Sequence, residues 1–227
     1  CLVGGVAGAV IATTGSDAVK WGGIVDKVLI PTVIAPIVGF AVGIALMVLL
    51  LWVFGRAHPG LISRRFRIAQ LISASFMAFS HGSNDAQKTM GVITLALFAG
   101  GAIPTLDVPF WVKIAAALAI GAGTYVGGRR IIRTLGMRLV KLTPMHGFAA
   151  ETAASAVLMT TAHFGFPVST THVISTSIMG VGATQRLSAV KWGLTRDIFL
   201  ACILTLPAAG LIGGLCATAS KLVFGDG

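Results

Sequence analysis

The chain has 227 residues, 56% of them hydrophobic and only 11% charged, with a formal charge of +10. A soluble domain carries roughly 25% charged residues, so a mean hydropathy of +0.92 places this chain in a lipid bilayer rather than in water. The positive charge does not point to nucleic acid: it is gathered in short stretches between apolar runs, as in cytoplasmic loops, and no stacking motif accompanies it.

The apolar segments fall at about 1–12, 28–54, 69–98, 108–127, 147–182 and 198–224. The first is shorter than the ~20 residues of a crossing and opens at Cys1 inside an apolar run, so further chain is expected upstream. Cys1, Cys202 and Cys216 show no paired or metal-binding spacing. Residues 55–68 hold Arg56, Arg64, Arg65 and Arg67, and residues 128–141 hold Arg129, Arg130, Arg133, Arg138 and Lys141, with no acid in either. Both stretches are expected on the cytoplasmic side. Residues 99–107, with only Asp107, are expected outside.

Segment 147–182 is divided by Gly165-Phe166-Pro167. Pro167 lacks a backbone donor and biases Phe166 away from helix. The next loop, 183–196, is again purely basic (Arg186, Lys191, Arg196). Both ends of the segment then lie inside, which predicts a re-entrant helical hairpin with its tip buried at mid-membrane.

An internal repeat is also present. Ala18-Val19-Lys20-Trp21-Gly22 recurs as Ala189-Val190-Lys191-Trp192-Gly193, and at the same offset Asp26 matches Asp197 while Pro36, Gly39 and Gly43 match Pro207, Gly210 and Gly214. Loop 13–27 is charge-balanced and its copy is basic, so the two copies face opposite sides of the membrane. Inverted repeats with discontinuous helices belong to secondary transporters. The predicted organisation is the end of a first repeat at 1–54, a basic linker at 55–68 and a second repeat at 69–227. The expected fold is an all-α polytopic membrane protein, an inverted-repeat transporter with a broken helix and a re-entrant helical hairpin.

Polar groups at membrane depth are costly and are functional candidates by default. The first cluster is His81-Gly82-Ser83-Asn84-Asp85-Ala86-Gln87-Lys88-Thr89. Gly82 and Asn84 predict a break in the helix, whose restarting end would offer free N–H groups to an anion. Asp85 supplies a cation ligand or proton acceptor, Gln87 and Thr89 neutral donors and acceptors, and Lys88 either a partner for Asp85 or a charge for a substrate anion. The plainer alternative is a self-satisfied polar kink. The second cluster, Pro167-Val168-Ser169-Thr170-Thr171-His172, places three hydroxyls at the hairpin tip, where they suit either an oxyanion or an ordinary N-cap. The third is Glu151, a lone acid that needs a cation, a donor or a proton unless solvated near the surface. His146, at the edge of the arm, is expected to be solvated, and His163 either packed or functional.

The stretches HGSNDAQKT (81–89), GFAAE (147–151) and PVSTTH (167–172) together resemble the inorganic phosphate transporter (PiT) family. The likeness runs over essentially the whole chain, including CLVGG at 1–5. It implies cation-coupled uptake of orthophosphate through two inverted repeats, each with an Asn-Asp motif and a hairpin tip of the STTH type. Carried over, Asn84 and Asp85 match the motif's binding pair, His81 the histidine before it, Glu151 the family's important glutamate, and Ser169, Thr170 and Thr171 the tip. Ser83 and Gln87-Lys88-Thr89 depart from the commoner GANDVANA form.

The site expected on this basis binds phosphate through Ser83, Asn84, Gln87, Thr89, Ser169, Thr170 and Thr171. Asp85, Asn84, Glu151 and His81 handle a cation or proton, with Na+ at Asp85 and Asn84 as one option. No cofactor is expected beyond a coupling Na+ or H+. The partners are inorganic phosphate, the lipid bilayer and, as an open option, a second copy in a homodimer; the place is the cell (plasma or inner) membrane, crossed several times. A passive or exchange-type carrier of another oxyanion such as sulfate is the alternative. An intramembrane hydrolase using Ser83 with His81 is disfavoured, because residues two apart do not face each other on a helix.

Overall fold

The computed structural model describes residues 1–56, 59–133, 142–185, 190 and 192–224. Arg138, Lys141, Arg186 and Lys191, which carry part of the inside–outside assignment, lie outside the described residues. The described chain is helical, with α1 at Leu2–Thr14, α2 at Trp21–Ile24, α3 at Ile30–Phe54, α4 at Pro59–Ala99, α5 at Phe110–Arg133, α6 at Pro144–His163, α7 at Thr170–Ala183 and α8 at Trp192–Phe224. A short 3-10 turn at Ser16–Ala18 precedes α2, and a π-helical turn at Val25–Leu29 follows it. By packing, the chain forms two compact units, one of Cys1–Leu29 with Trp192–Gly227 and the other of Ile30–Lys191.

In the first unit α1 lies along α8 with almost no side chain between the backbones. A Cβ on Gly4 would run into the Leu206 carbonyl, one on Gly8 into Gly210, and one on Gly213 into Gly5. Small residues permit this approach, and in lipid such van der Waals packing is what joins helices. Lys221 donates to the Thr13 carbonyl at 3.1 Å, satisfying one of the free carbonyls at the end of α1.

The second unit is built on the α6–α7 hairpin, which packs on α3 and α4, with α5 beside α4. Its core is Ala35, Met77, Ala154, Val157, Leu158, Val168 and Val173. α3 and α7 cross on glycines: Gly43 faces the Ser177 backbone, Gly180 the Phe40 carbonyl, and Ser177 Oγ donates to the Gly39 carbonyl at 3.2 Å. Large apolar side chains such as Leu71, Phe79, Leu118 and Ile37 face outward, a surface for lipid tails rather than water. Among the described residues three helices, at Trp21–Phe54, Phe110–Gly128 and Ile203–Leu222, are long and apolar enough to cross a membrane. The fold is that of an all-α membrane protein.

The hairpin forms where the sequence predicts it. α6 ends at His163, Gly165 takes φ +69°, and α7 restarts behind Ser169, whose Oγ accepts from the His172 N–H at 3.4 Å. The positive φ is accessible to glycine without a Cβ penalty. The 14 residues of α7 span about 21 Å, short of the ~30 Å hydrocarbon core.

The predicted break at Gly82–Asn84 does not form. α4 runs unbroken for 41 residues, Pro59–Ala99, about 60 Å at 1.5 Å per residue. Glycine costs a helix about 1 kcal/mol relative to alanine, whereas an unpaired backbone group in an apolar setting costs several. The continuous ladder therefore wins. α4 also begins within the expected 55–68 linker, and α5 continues through Arg133 into the expected basic loop; arginine is a good helix former. Nothing lies within 4 Å of a Cβ built at Gly82, so Gly82→Ala is expected to leave the melting temperature unchanged or slightly raised. A clear drop in a thermal melt would show that the backbone there needs glycine.

Candidate functional site

The middle of α4 presents Met77, Ser80 and Asn84 as a buried stripe at the i, i+3, i+7 spacing of one helix face. Asn84 is 4% exposed, and its amide nitrogen has no hydrogen-bond partner, which marks a buried donor with unused capacity. Ser80 turns back to the Phe76 carbonyl at 2.9 Å.

Asp85 sits between two basic groups of its own helix. His81 Nε2 stands 3.6 Å from Oδ2, and Lys88 Nζ 3.2 Å from Oδ1. The Lys88 ammonium also donates to the Val168 carbonyl at 2.8 Å. Val168 belongs to the hairpin tip, so this single side chain joins the two clusters singled out in the sequence. At the tip, Ser169 serves as the N-cap of α7, Thr170 and His172 are buried and Thr171 is exposed.

Other expected residues take a different side of α4. One residue round a helix is about 100°, which turns Ser83 and Gln87 away from Asn84 and Lys88. With His81 they line a cleft of about 900 Å³ between α4 and α5, whose far wall includes Lys113 and Thr124. Thr89 is exposed and bonds back to the Asp85 carbonyl at 3.1 Å.

Glu151 is not part of this cluster. On α6 it accepts from Ser73 Oγ at 2.5 Å, with Gln70 as a second side-chain donor. Ser73 precedes Asp85 on α4 by about 18 Å of helix rise. Its two donors meet the need of a half-buried carboxylate, in place of solvation at the surface. Gly147 makes room here, because a Cβ on it would strike the Gln70 side chain.

His146 is a correction. It is 8% exposed rather than solvated. Its ring pairs with the Thr143 hydroxyl in a capping box, and its Nε2 lies 2.6 Å from Gln185 Nε2 at the far end of α7. The spacing Thr143-Pro144-Met145-His146 carries the signal, a capping box with histidine in place of Glu or Gln. His163 is exposed and stands edge-on to Phe164 with centroids 5.5 Å apart. The Ser73, Gln70 and Val168 partnerships are the site features that the sequence reading missed.

Comparison with known proteins bears on the same stretches. The profile of the phosphate transporter family matches residues 57–213. A probable low-affinity inorganic phosphate transporter of Rhizobium meliloti (strain 1021) is 44% identical over 223 residues, covering 98% of this chain and 66% of the relative. One of the same description from Bacillus subtilis (strain 168) is 35% identical over 224 residues, covering 98% and 67%. A solved structure described as the sodium-dependent phosphate transporter matches with a TM-score of 0.84 over 97% of this chain and 72% of the other; at 19% identity this likeness concerns the fold alone. The chain spans about a quarter to two thirds of the length of the curated relatives it matches. On the family match and the near-complete coverage by these relatives, the chain belongs to the phosphate transporter family.

Proposed function

We propose that this chain takes up inorganic phosphate across the cell membrane by cation symport, within a multi-pass protein of two inverted repeats. The observation that carries the reading is the Lys88 contact. It draws the Asn84-Asp85 motif and the Ser169–Thr171 tip to one place, and these are the stretches that resemble the family's binding segments. In this reading Asn84, Ser169 and Thr170 donate to the phosphate oxygens, Thr171 joins them on the exposed side of the tip, and Ser83, Gln87 and Thr89 extend the polar surface along α4. Asp85 with Asn84 and His81 takes up the coupling charge, and Glu151 serves as a separate proton or cation group on α6. A cation moving with phosphate offsets its charge and supplies the driving force.

The repeat organisation (1–54, 55–68, 69–227) is supported by a likeness of the two glycine crossings. Gly39 and Gly43 of α3 lie against α7, and their sequence counterparts Gly210 and Gly214 of α8 lie close to α1. Each crossing pairs the last helix of one repeat with the hairpin arm of the other. The names of the relatives support a transporter rather than an enzyme, and His81 is turned to Asp85, not to Ser83 as a hydrolytic pair would require.

The test is uptake of labelled phosphate into proteoliposomes of the full-length protein, with Na+ and pH gradients imposed one at a time. Symport predicts that at least one gradient drives phosphate above its equilibrium level. Flux indifferent to both gradients would overturn the reading in favour of a passive path.

A further inference from the structure

The Lys88 ammonium is held by one carboxylate oxygen and one backbone carbonyl, Asp85 Oδ1 at 3.2 Å and Val168 O at 2.8 Å. Two oxygens of these types, one from α4 and one from the non-helical hairpin tip, form the beginning of a cage for a small hard cation, which takes carboxylate and carbonyl oxygens as ligands. An ammonium is itself a compact, strongly hydrated point charge with donors in several directions. It can therefore fill such a cage from a side chain. We infer that Lys88 is a specificity-determining residue for the coupling ion: its ammonium is a tethered cation in the position between Asp85 and the hairpin tip that a free monovalent cation would otherwise fill.

Three observations converge on this assignment. The first is that Lys88 reaches across from α4 to the tip instead of extending along its own helix toward solvent, as a lysine with only an i, i+3 partner would. The second is that His81 stands on the other oxygen of Asp85, 3.6 Å away, so that both carboxylate oxygens face nitrogen donors of the chain. The third is that the tip contributes a carbonyl, an acceptor that recognises a cation and would repel phosphate. Lys88 therefore serves Asp85 and the tip, and it is not a phosphate ligand in this arrangement. It acts as a positioning residue, standing where a metal cation would otherwise sit beside Asp85 and closing the tip onto α4, which leaves a proton as the coupling charge that Asp85 takes up.

The inference rests on the proposed transport reading, and it has a consequence specific to this chain. With its own cation in place, the Asp85 half of the site does not need Na+, and removing the ammonium should create such a need. The experiment compares wild type, Lys88→Met and Lys88→Arg in full-length protein, reconstituted in proteoliposomes at a fixed pH gradient in choline or Na+ medium. Wild-type uptake is expected to differ less than twofold between the two media. Lys88→Met is expected to lose at least tenfold in choline and to recover severalfold in Na+, while Lys88→Arg stays indifferent to Na+. A second readout does not depend on transport: Na+ should raise the melting temperature of Lys88→Met, relative to choline, and leave that of wild type unchanged.

Wild-type uptake stimulated severalfold by Na+ would overturn the inference. So would a Lys88→Met protein whose uptake and melting temperature are both insensitive to Na+, whatever its activity. If wild type carries no phosphate in either medium, the transport reading fails, and the melting comparison still decides the role of Lys88.

Discussion

Asp85→Asn is expected to reduce phosphate uptake by full-length protein more than about 30-fold while leaving the protein folded. The carboxylate is 37% exposed as a side chain, and ion pairs in contact with water contribute at most about 1 kcal/mol to stability. The fold should therefore tolerate the change, and α4 keeps its backbone ladder. Transport is another matter. Asp85 is the one acid between His81 and Lys88, and the amide leaves that ammonium with a neutral neighbour and the Val168 carbonyl. Truncating one member of a hydrogen-bonded charge pair typically costs 2–5 kcal/mol when the pair is desolvated. The ~30-fold loss corresponds to about 2 kcal/mol, the low end of that range, as suits a partly exposed pair. Asp85→Glu keeps the charge and should retain measurable uptake. Wild-type uptake by a properly folded Asp85→Asn would remove Asp85 from the site.

The second large effect is on stability. Gly180→Leu should lower the melting temperature by roughly 2–12 °C, because overpacking costs about 1–3 kcal/mol and a chain of this size loses about 2–4 °C per kcal/mol. The Cβ at Gly180 points at the carbonyl oxygen of Phe40. Backbone cannot swing aside as a long side chain can, so α3 and α7 would have to separate and open the core around Val173 and Ala35. Gly123→Ala is the control, since nothing lies within 4 Å of the added methyl. Equal melting of Gly180→Leu and wild type would show that the crossing has slack.

The sequence made some of this legible for identifiable reasons. The hairpin break rests on Gly165 and Pro167, residues whose backbone chemistry decides conformation locally. The unbroken α4 ran against the reading of Gly82 and Asn84, because intrinsic preferences near 1 kcal/mol were set against backbone hydrogen bonds that have no water to fall back on. The partners of Glu151 and the Val168 partner of Lys88 were out of reach for another reason. Ser73 lies 78 residues from Glu151, and Val168 lies 80 residues from Lys88. Nothing in a local pattern announces such pairs, least of all one whose acceptor is a main-chain carbonyl, for which any residue type would serve. His146 was misread as solvated although its Thr143 spacing carried a capping-box signal, and its approach to Gln185 required the hairpin to close.

The α1–α8 crossing has a temporal side. Lys221 meets the Thr13 carbonyl across 208 residues of sequence, and Gly8 rests against Gly210. Ribosomes add about 5–20 residues per second, so α1 waits on the order of 10–40 s for the helix that completes it, although its own turns wind in about a microsecond. Throughout that interval its glycine face is without α8. A helix synthesised well after α1 is thus the one that commits it, and a nascent chain stalled before residue 192 would hold α1 without its mate.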